Sequence, residues 1–313
     1  MRYLATSVLV LCCSAAGQAG NQSNPVLQST VDPSGCVLEQ LAAEPGRSQF
    51  QNDSLLADGS GIAISWRDGK GGHGTDILDF DTWKRTPLHN TLDNGATFSP
   101  DGNWIVNAVS VSDNNTDLVL IDRSTGELSY LLAHEAWDWL PSFSPDGTQI
   151  VFNSHRGGNN SDVYLYTLAS GELQQLTSNP TYEAHAKFSP DGKFILYHEQ
   201  VDGADFNINL MELETGDVRA LTSSPREEGY ASWSPDGRYI VYADDRDREP
   251  GKPDIFVMDM DGKVVSRVTD HPEKDAYPFW SPDGKYLYFN SYRGGGGVYR
   301  ATMTDLIHCK TNE

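Results

Sequence analysis

The stretch Phe-Ser-Pro-Asp-Gly at residues 143–147 decides how this chain is read, because it is written five times with only its aromatic varied. Phe98, Phe143, Phe188, Trp233 and Trp280 lead the copies, which start 45, 45, 45 and 47 residues apart. A constant period of this size marks a stack of similar blades. Each copy also suits a type I turn, with Ser first, Pro fixing φ at the second position, Asp third and Gly closing. The motif is therefore expected to join the first two strands of each blade as a hairpin.

Four strands can be read within one period. A short inner strand runs from Leu140 to the turn, and residues 149–154 follow with Ile150 and Phe152 on one face. After the polar loop 155–161, residues 162–167 alternate Val163 and Leu165 against Tyr164 and Tyr166, and residues 173–176 end the period. The same order recurs at 95–135, 185–225 and 230–270. A degenerate copy at 50–90 keeps Ala57-Asp58-Gly59 without the aromatic or the proline, and the last copy, 277–303, has three strands only. The missing fourth is supplied by the N-terminus: Cys-Val-Leu-Glu-Gln-Leu at 36–41 echoes Gly-Glu-Leu-Gln-Gln-Leu at 171–176, an offset of 135 residues or three whole periods. The fold class is all-β, a six-bladed propeller of four-stranded antiparallel blades closed by the N-terminal strand.

Residues 1–20 read as an export signal, with Arg2 before a short apolar run and small residues where cleavage would fall. Residues 21–35, rich in Asn, Gln, Ser and Pro, read as a flexible leader, and 36–309 as a single domain. The expected location is periplasmic or secreted, and no stretch has the length of apolar sequence a transmembrane helix requires. Cys36 and Cys309 are the cysteines left after processing, in an oxidising compartment. Both flank the predicted ring closure, so they are expected to pair, and no Cys-x-x-Cys spacing suggests redox chemistry. The net charge of −21 disfavours nucleic acid and anionic lipid as partners and favours cations or basic segments. Acidity also serves solubility in secreted proteins, and the charge does not separate the two.

The repeated aromatic-Ser-Pro-Asp-Gly is joined by Ser-x-Arg-Gly-Gly at 154–158 and 291–295, by Asp76, Asp117, Asp162 and Asp254 opening third strands, and by Leu176-Thr177 and Leu221-Thr222 closing fourth strands. Together these features resemble the TolB-type propeller over about residues 36–309. The separate α/β domain that precedes the propeller in TolB has no counterpart in residues 21–35. Similar blades occur in the propellers of prolyl-oligopeptidase-type proteases and in polysaccharide-degrading enzymes, so the resemblance implies the fold more closely than an activity.

Five residues before each motif aromatic stands a carboxylate: Asp93, Asp138, Glu183, Glu228 and Asp275. A propeller would bring them to the channel mouth, where like charges raise one another's pKa or attract a cation. Arg67, Arg156, Arg246 and Arg293 are expected on the same face, and pairing with them is the structural reading of the ring. Blades two and four carry Val111 and Val201 instead, which leaves Asp93 and Glu183 without an arginine of their own. Two residues beyond the carboxylates come Leu140, His185, Tyr230 and Tyr277, with Trp137 and Trp139 close by; such aromatics suit a sugar ring, a basic side chain or plain blade packing.

Gly-x-Ser-x-Gly, His-Glu-x-x-His and phosphate-cradling glycine motifs are absent from the sequence. The related polysaccharide lyases use clustered channel histidines for metal, whereas His73, His155 and His198 are expected on outer loops here and only His185 at the mouth. Two functions stay open. One is an exported, non-enzymatic scaffold whose acidic mouth, including Asp93, Asp138, Trp139, Glu183, His185, Glu228, Tyr230, Asp275 and Tyr277, takes a protein partner or a divalent cation. The alternative is a carbohydrate-active hydrolase or lyase using paired carboxylates.

Overall fold

The computed structural model describes residues 28–43, 49–68, 70, 72–82, 84–89, 95–112, 115–158, 160–202, 205–309 and 311. They form six sheets arranged as the blades of a propeller. Blade 1 is Gln49–Leu55, Gly61–Arg67, His73–Asp79 and Arg85–His89; blade 2 is Thr97–Phe98, Trp104–Ser112, Asn115–Asp122 and Leu128–Leu132. Blade 3 comprises Asp138–Phe143, Gln149–Ser154, Asp162–Thr167 and Glu172–Gln175, and blade 4 Glu183–Phe188, Phe194–Asp202, Asp205–Glu212 and Val218–Ala220. Blade 5 is Glu228–Trp233, Tyr239–Asp244, Asp254–Asp259 and Val264–Arg267. In blade 6, Asp275–Trp280, Tyr286–Ser291 and Gly297–Thr302 are followed by Val37–Ala43 as the fourth strand, as the 135-residue echo predicts.

The hairpin motif owes its fixed sequence to a repeated hydrogen-bond pattern. In blade 3 the Gly147 N–H donates to Ser144 O at 2.9 Å, and the Gln149 N–H donates to Ser144 Oγ at 2.9 Å. Ser144 Oγ in turn donates to Asp146 Oδ1 at 2.6 Å, and Asp146 Oδ1 also accepts the Thr148 N–H. Gly147 has φ of 71°, a conformation that side chains with a Cβ rarely adopt. The degenerate turn of blade 1 keeps the Gly59-to-Leu56 bond and the Asp58 cap on Ser60, so the loss of Ser and Pro left the geometry intact.

The core lies between blades. Alternation along each strand sends one set of side chains to each neighbouring sheet. Val151, Val163, Phe188 and Tyr197 thus pack blade 3 against blade 4, while Leu210, Trp233, Ile240 and Phe256 pack blade 4 against blade 5. The motif aromatics are buried wedges in these layers. Full burial of one such side chain is worth about 1.5–3 kcal/mol.

Closure is more extensive than the sequence suggests. Gln28–Val31 adds a fifth strand outside Val37–Ala43; the leader is thus built into blade 6 from Gln28 onward, and residues 21–27 lie outside the described residues. Cys36 and Cys309 form a disulfide with α-carbons 5.5 Å apart. Leu38 packs toward blade 5 and Leu41 toward blade 1, so the N-terminal strand belongs to both neighbouring layers. Ser34 Oγ donates to Val268 O at 2.7 Å, and Asp32 accepts the Asp270 N–H at 2.7 Å, tying the same segment to the end of blade 5.

Candidate functional site

The inner strands of blades 3 to 6 are each interrupted near the start by a bulge: the pairing shifts between Trp139 and Ser142, Ala184 and Lys187, Gly229 and Ser232, and Ala276 and Phe279. A bulge re-aims the side chain it carries. Leu140, His185, Tyr230 and Tyr277 sit in these bulges with φ of 49–57°, a costly conformation for residues other than glycine. All four line a cavity in the central channel, together with Thr97, Pro141, Lys187 and Phe279. Four successive blades thus hold a strained residue at the same place, and every one points into the channel.

The structure brings three of these sequence-predicted residues into one cluster. Tyr230 and Tyr277 have ring centroids 4.4 Å apart, and His185 packs edge-on against Tyr230 at 5.2 Å. Lys274 lies over the Tyr230 ring at 5.2 Å and pairs with Glu227 at 3.6 Å. His198, expected on an outer loop, instead stands inside the second strand of blade 4, buried and 4.7 Å from His185. Ten residues past the motif aromatic, it is the counterpart of Asn153, Ala243 and Asn290, which also lie in second strands, so the repeat register itself places it in the strand. Gly229 is required there, since a Cβ at that position would sit 2.9 Å from His198 Nδ1. His73, likewise read as a loop residue, opens the third strand of blade 1, while His155 does follow a strand end, 4.8 Å from Trp139. Burial holds the His198 imidazole down at about 3 and puts His185 well below its ordinary value, so both rings are neutral at physiological pH.

The carboxylates take another course. Asp138, Glu183 and Asp275 are 0% exposed and Glu228 is 4% exposed, so these four do not face the channel solvent; Asp93 lies outside the described residues. Arg156 Nη2 donates to Asp138 at 2.5 Å and Arg293 Nη2 to Asp275 at 2.5 Å. The Arg246 guanidinium reaches Glu228 at 3.7 Å, while its Nε donates to Asp244 at 2.6 Å. Glu183, in the blade that carries Val201, accepts instead from the Thr177 hydroxyl and from Asn179 Nδ2 at 2.9 Å.

Thr177 shows what the arrangement does. Its hydroxyl accepts the Val163 N–H of blade 3 at 2.8 Å and donates to the carboxylate that opens blade 4, which makes it a latch between blades. Thr222 and Thr269 cap their own third strands in the same way, accepting from Ile208 and Ile255 at 2.9 Å, and their hydroxyls lower the titration of Glu228 and Asp275. The sequence signal for this device is a threonine six residues before the carboxylate, present in three copies and replaced by Leu132 before Asp138.

Burial pushes the Asp275 carboxyl up to about 6 despite Arg293, and the Glu183 carboxyl, with no cation, up to about 7. A raised carboxyl pKa contributes stability that is complete below the unfolded-state value and is lost as pH rises through the folded one. Glu183→Gln, a fixed mimic of the protonated form, is therefore expected to stabilise the protein at about pH 8 by up to about 3 kcal/mol, at about 1.4 kcal/mol per pKa unit. At about pH 5 the gain should shrink below about 1 kcal/mol. Urea melts at the two pH values check this, and a variant less stable than wild type at both would contradict it. The buried histidines act with opposite sign, because their depressed values make stability fall as pH drops below the unfolded-state value.

Among the described residues no group of three or more His, Cys, Asp or Glu side chains is placed to hold a metal ion. No helix of the described residues is long and apolar enough to cross a membrane.

Comparison with known proteins fits this architecture. TolB from Acinetobacter baumannii is similar in structure, with a TM-score of 0.63 and 21% identity over 80% of this chain; the chain spans 64% of that protein's length. A putative TolB from Agrobacterium tumefaciens matches at a TM-score of 0.64 and 24% identity, over 75% of this chain and 86% of that one. An oligogalacturonate lyase in complex with manganese matches at 0.59 and 18% identity, over 88% and 96% of the two chains. No curated protein sequence matches the chain. These likenesses establish the fold. The family model of the TolB beta propeller domain matches residues 76–250, more than half of the sequence, and the chain belongs to that family.

Proposed function

We propose that this protein is an exported, non-enzymatic binding scaffold whose channel mouth receives a segment of a protein partner. The observation that carries this reading is the division of labour at the mouth. The described carboxylates that could have served as acid and base are buried and committed, Asp138 and Asp275 to arginines of their own blades and Glu183 to the threonine of the preceding blade. The side chains presented to the channel are His185, Tyr230, Tyr277 and Leu140, held in strained backbone. Such a surface offers ring faces and apolar contact to a peptide rather than a pair of accessible carboxylates to a glycosidic bond. The overall charge of −21 favours a partner segment that is basic. Residues 1–20, read as an export signal, place the encounter in the periplasm or outside the cell.

The test is capture of envelope and secreted proteins on the immobilised mature chain, with and without divalent cation, beside a Tyr230→Ser/Tyr277→Ser variant. A partner held by wild type and lost by the folded variant is the expected result. Release of new reducing ends or unsaturated sugars from polygalacturonate or other polysaccharides would contradict the scaffold and favour the carbohydrate-active alternative.

A further inference from the structure

Blades 2 and 4 depart from the others on the mouth face. In blade 2 the second and third strands pair as far as Ser112 and Asn115, and in blade 4 as far as Asp202 and Asp205. In blade 3 the equivalent pairing stops at Ser154 and Asp162. The second strands have nine residues in blades 2 and 4 against six in blade 3, so the flanking hairpins continue about 10 Å further at about 3.3 Å per residue. Val111 and Val201 are the residues that replace the arginine turn with this extra length.

Between the hairpins lies an aromatic ledge. Trp137 is 40% exposed and meets Trp139 edge-on at 5.6 Å; Trp139 meets Tyr182 at 6.1 Å. The hairpin of blade 2 is pinned to one side, where Thr116 Oγ1 donates to Asp138 O at 2.8 Å. That of blade 4 is pinned to the other, where the Gln200 N–H donates to Tyr182 O at 2.8 Å and Phe206 packs on the Tyr182 ring at 6.4 Å.

We propose that this recess binds a neutral oligosaccharide. Flat rings at a solvent-exposed, partly apolar surface match the C–H faces of a sugar. Around the ledge, residues 133–137, 155–158, 160–161 and 177–182 supply amides and hydroxyls, and their only carboxylate and guanidinium are Glu135 and Arg156. Arg156 is committed to Asp138, so the loops offer neutral hydrogen bonding in a chain that is otherwise strongly charged. Trp139 Nε1, His155 Nε2, Asn115 Oδ1 and Asn207 Oδ1 find no hydrogen-bond partner in the described residues. Buried polar atoms are rarely left so, and those of Trp139 and His155, whose rings meet on the ledge at 4.8 Å, point to a hydroxyl-rich ligand or the water it displaces. A polyanionic sugar is opposed by the net charge of −21. To a basic peptide the ledge loops offer one carboxylate, that of Glu135.

The experiment titrates the full mature chain with neutral hexasaccharides of glucose, mannose and N-acetylglucosamine, followed by tryptophan fluorescence and calorimetry, beside hexagalacturonate and a lysine-containing hexapeptide. At least one neutral sugar is expected to bind saturably. Trp137→Ala should weaken it about tenfold or more, the equivalent of about 1.4 kcal/mol. Trp137→Phe should weaken it less, and both variants should remain folded at the assay temperature, which melting curves check. Tyr230→Ser should leave sugar binding unchanged, which separates this recess from the channel. The proposal is overturned if no neutral hexasaccharide binds at about 10 mM, a free energy of only a few kcal/mol. It is equally overturned if Trp137→Ala has no effect, or if hexagalacturonate or the peptide binds the ledge more tightly.

Discussion

Arg293→Ala is expected to cost about 3–5 kcal/mol, the usual consequence of removing one partner from a buried ion pair. For a chain of this size that corresponds to a fall in melting temperature of roughly 10 °C. Arg293 is itself buried and serves two buried carboxylates at once, Asp275 at 2.5 Å and Asp32 at 2.9 Å, while its Nε donates to Ser291 Oγ at 2.7 Å. Asp275 opens the inner strand of blade 6, and Asp32 precedes the N-terminal strand that finishes the same blade. Loss of the guanidinium leaves two unpaired charges at the seam where the ring closes. Adding Asp32→Asn and Asp275→Asn to Arg293→Ala should recover part of the loss, because the stranded charges are then gone. Thermal and urea melts of the three proteins decide it; a cost below about 1 kcal/mol, typical of exposed pairs, would mean that solvent screens the site.

The second large effect concerns Cys36 and Cys309, which bridge 273 residues. Chain entropy gives about 5 kcal/mol for a loop of that length, as a model-dependent ceiling, and removing a native disulfide typically costs about 2–5 kcal/mol. Cys36→Ala/Cys309→Ala is expected to melt earlier by an amount in that range and to lose the sensitivity to reductant that wild type shows. The strand should still dock at low temperature, because Leu38 and Leu41 remain buried in the layers on either side. Equal midpoints for wild type and variant, each with and without reductant, would show that the strand holds the ring without the bond.

The architecture was legible because the repeat encodes it redundantly. A turn with four fixed residues names five of the six inner hairpins, and one echo of six residues across three periods places the N-terminal strand. Features that depend on a single blade were harder to read. Gln28–Val31 pairs through its backbone, and its polar side chains carry no apolar alternation to announce a strand. His198 was read as a loop residue although its counterparts Asn153, Ala243 and Asn290 all lie in second strands; the repeat register carried the signal, and a polar side chain among apolar neighbours obscured it. The carboxylates were found by counting, but their burial was not, since position in a repeat does not say which way a bulge turns the next side chain. The bulge sends Leu140, His185, Tyr230 and Tyr277 to the channel and leaves the carboxylates in the seams, where threonines six residues earlier receive Glu183, Glu228 and Asp275 and Arg156 receives Asp138.

The central claim is that the mouth carboxylates are held by arginines of their own blades and by threonines of the preceding blade instead of holding a cation. Melting the mature protein in chelator and then in calcium or manganese tests it most directly. The account predicts the same midpoint throughout, since Asp138, Glu228 and Asp275 already face arginines and Glu183 accepts from Thr177 and Asn179. A bound cation at 100 times its Kd would add about 2.7 kcal/mol. A rise of that size, abolished by Glu183→Gln, would contradict the latch and make the ring a metal site.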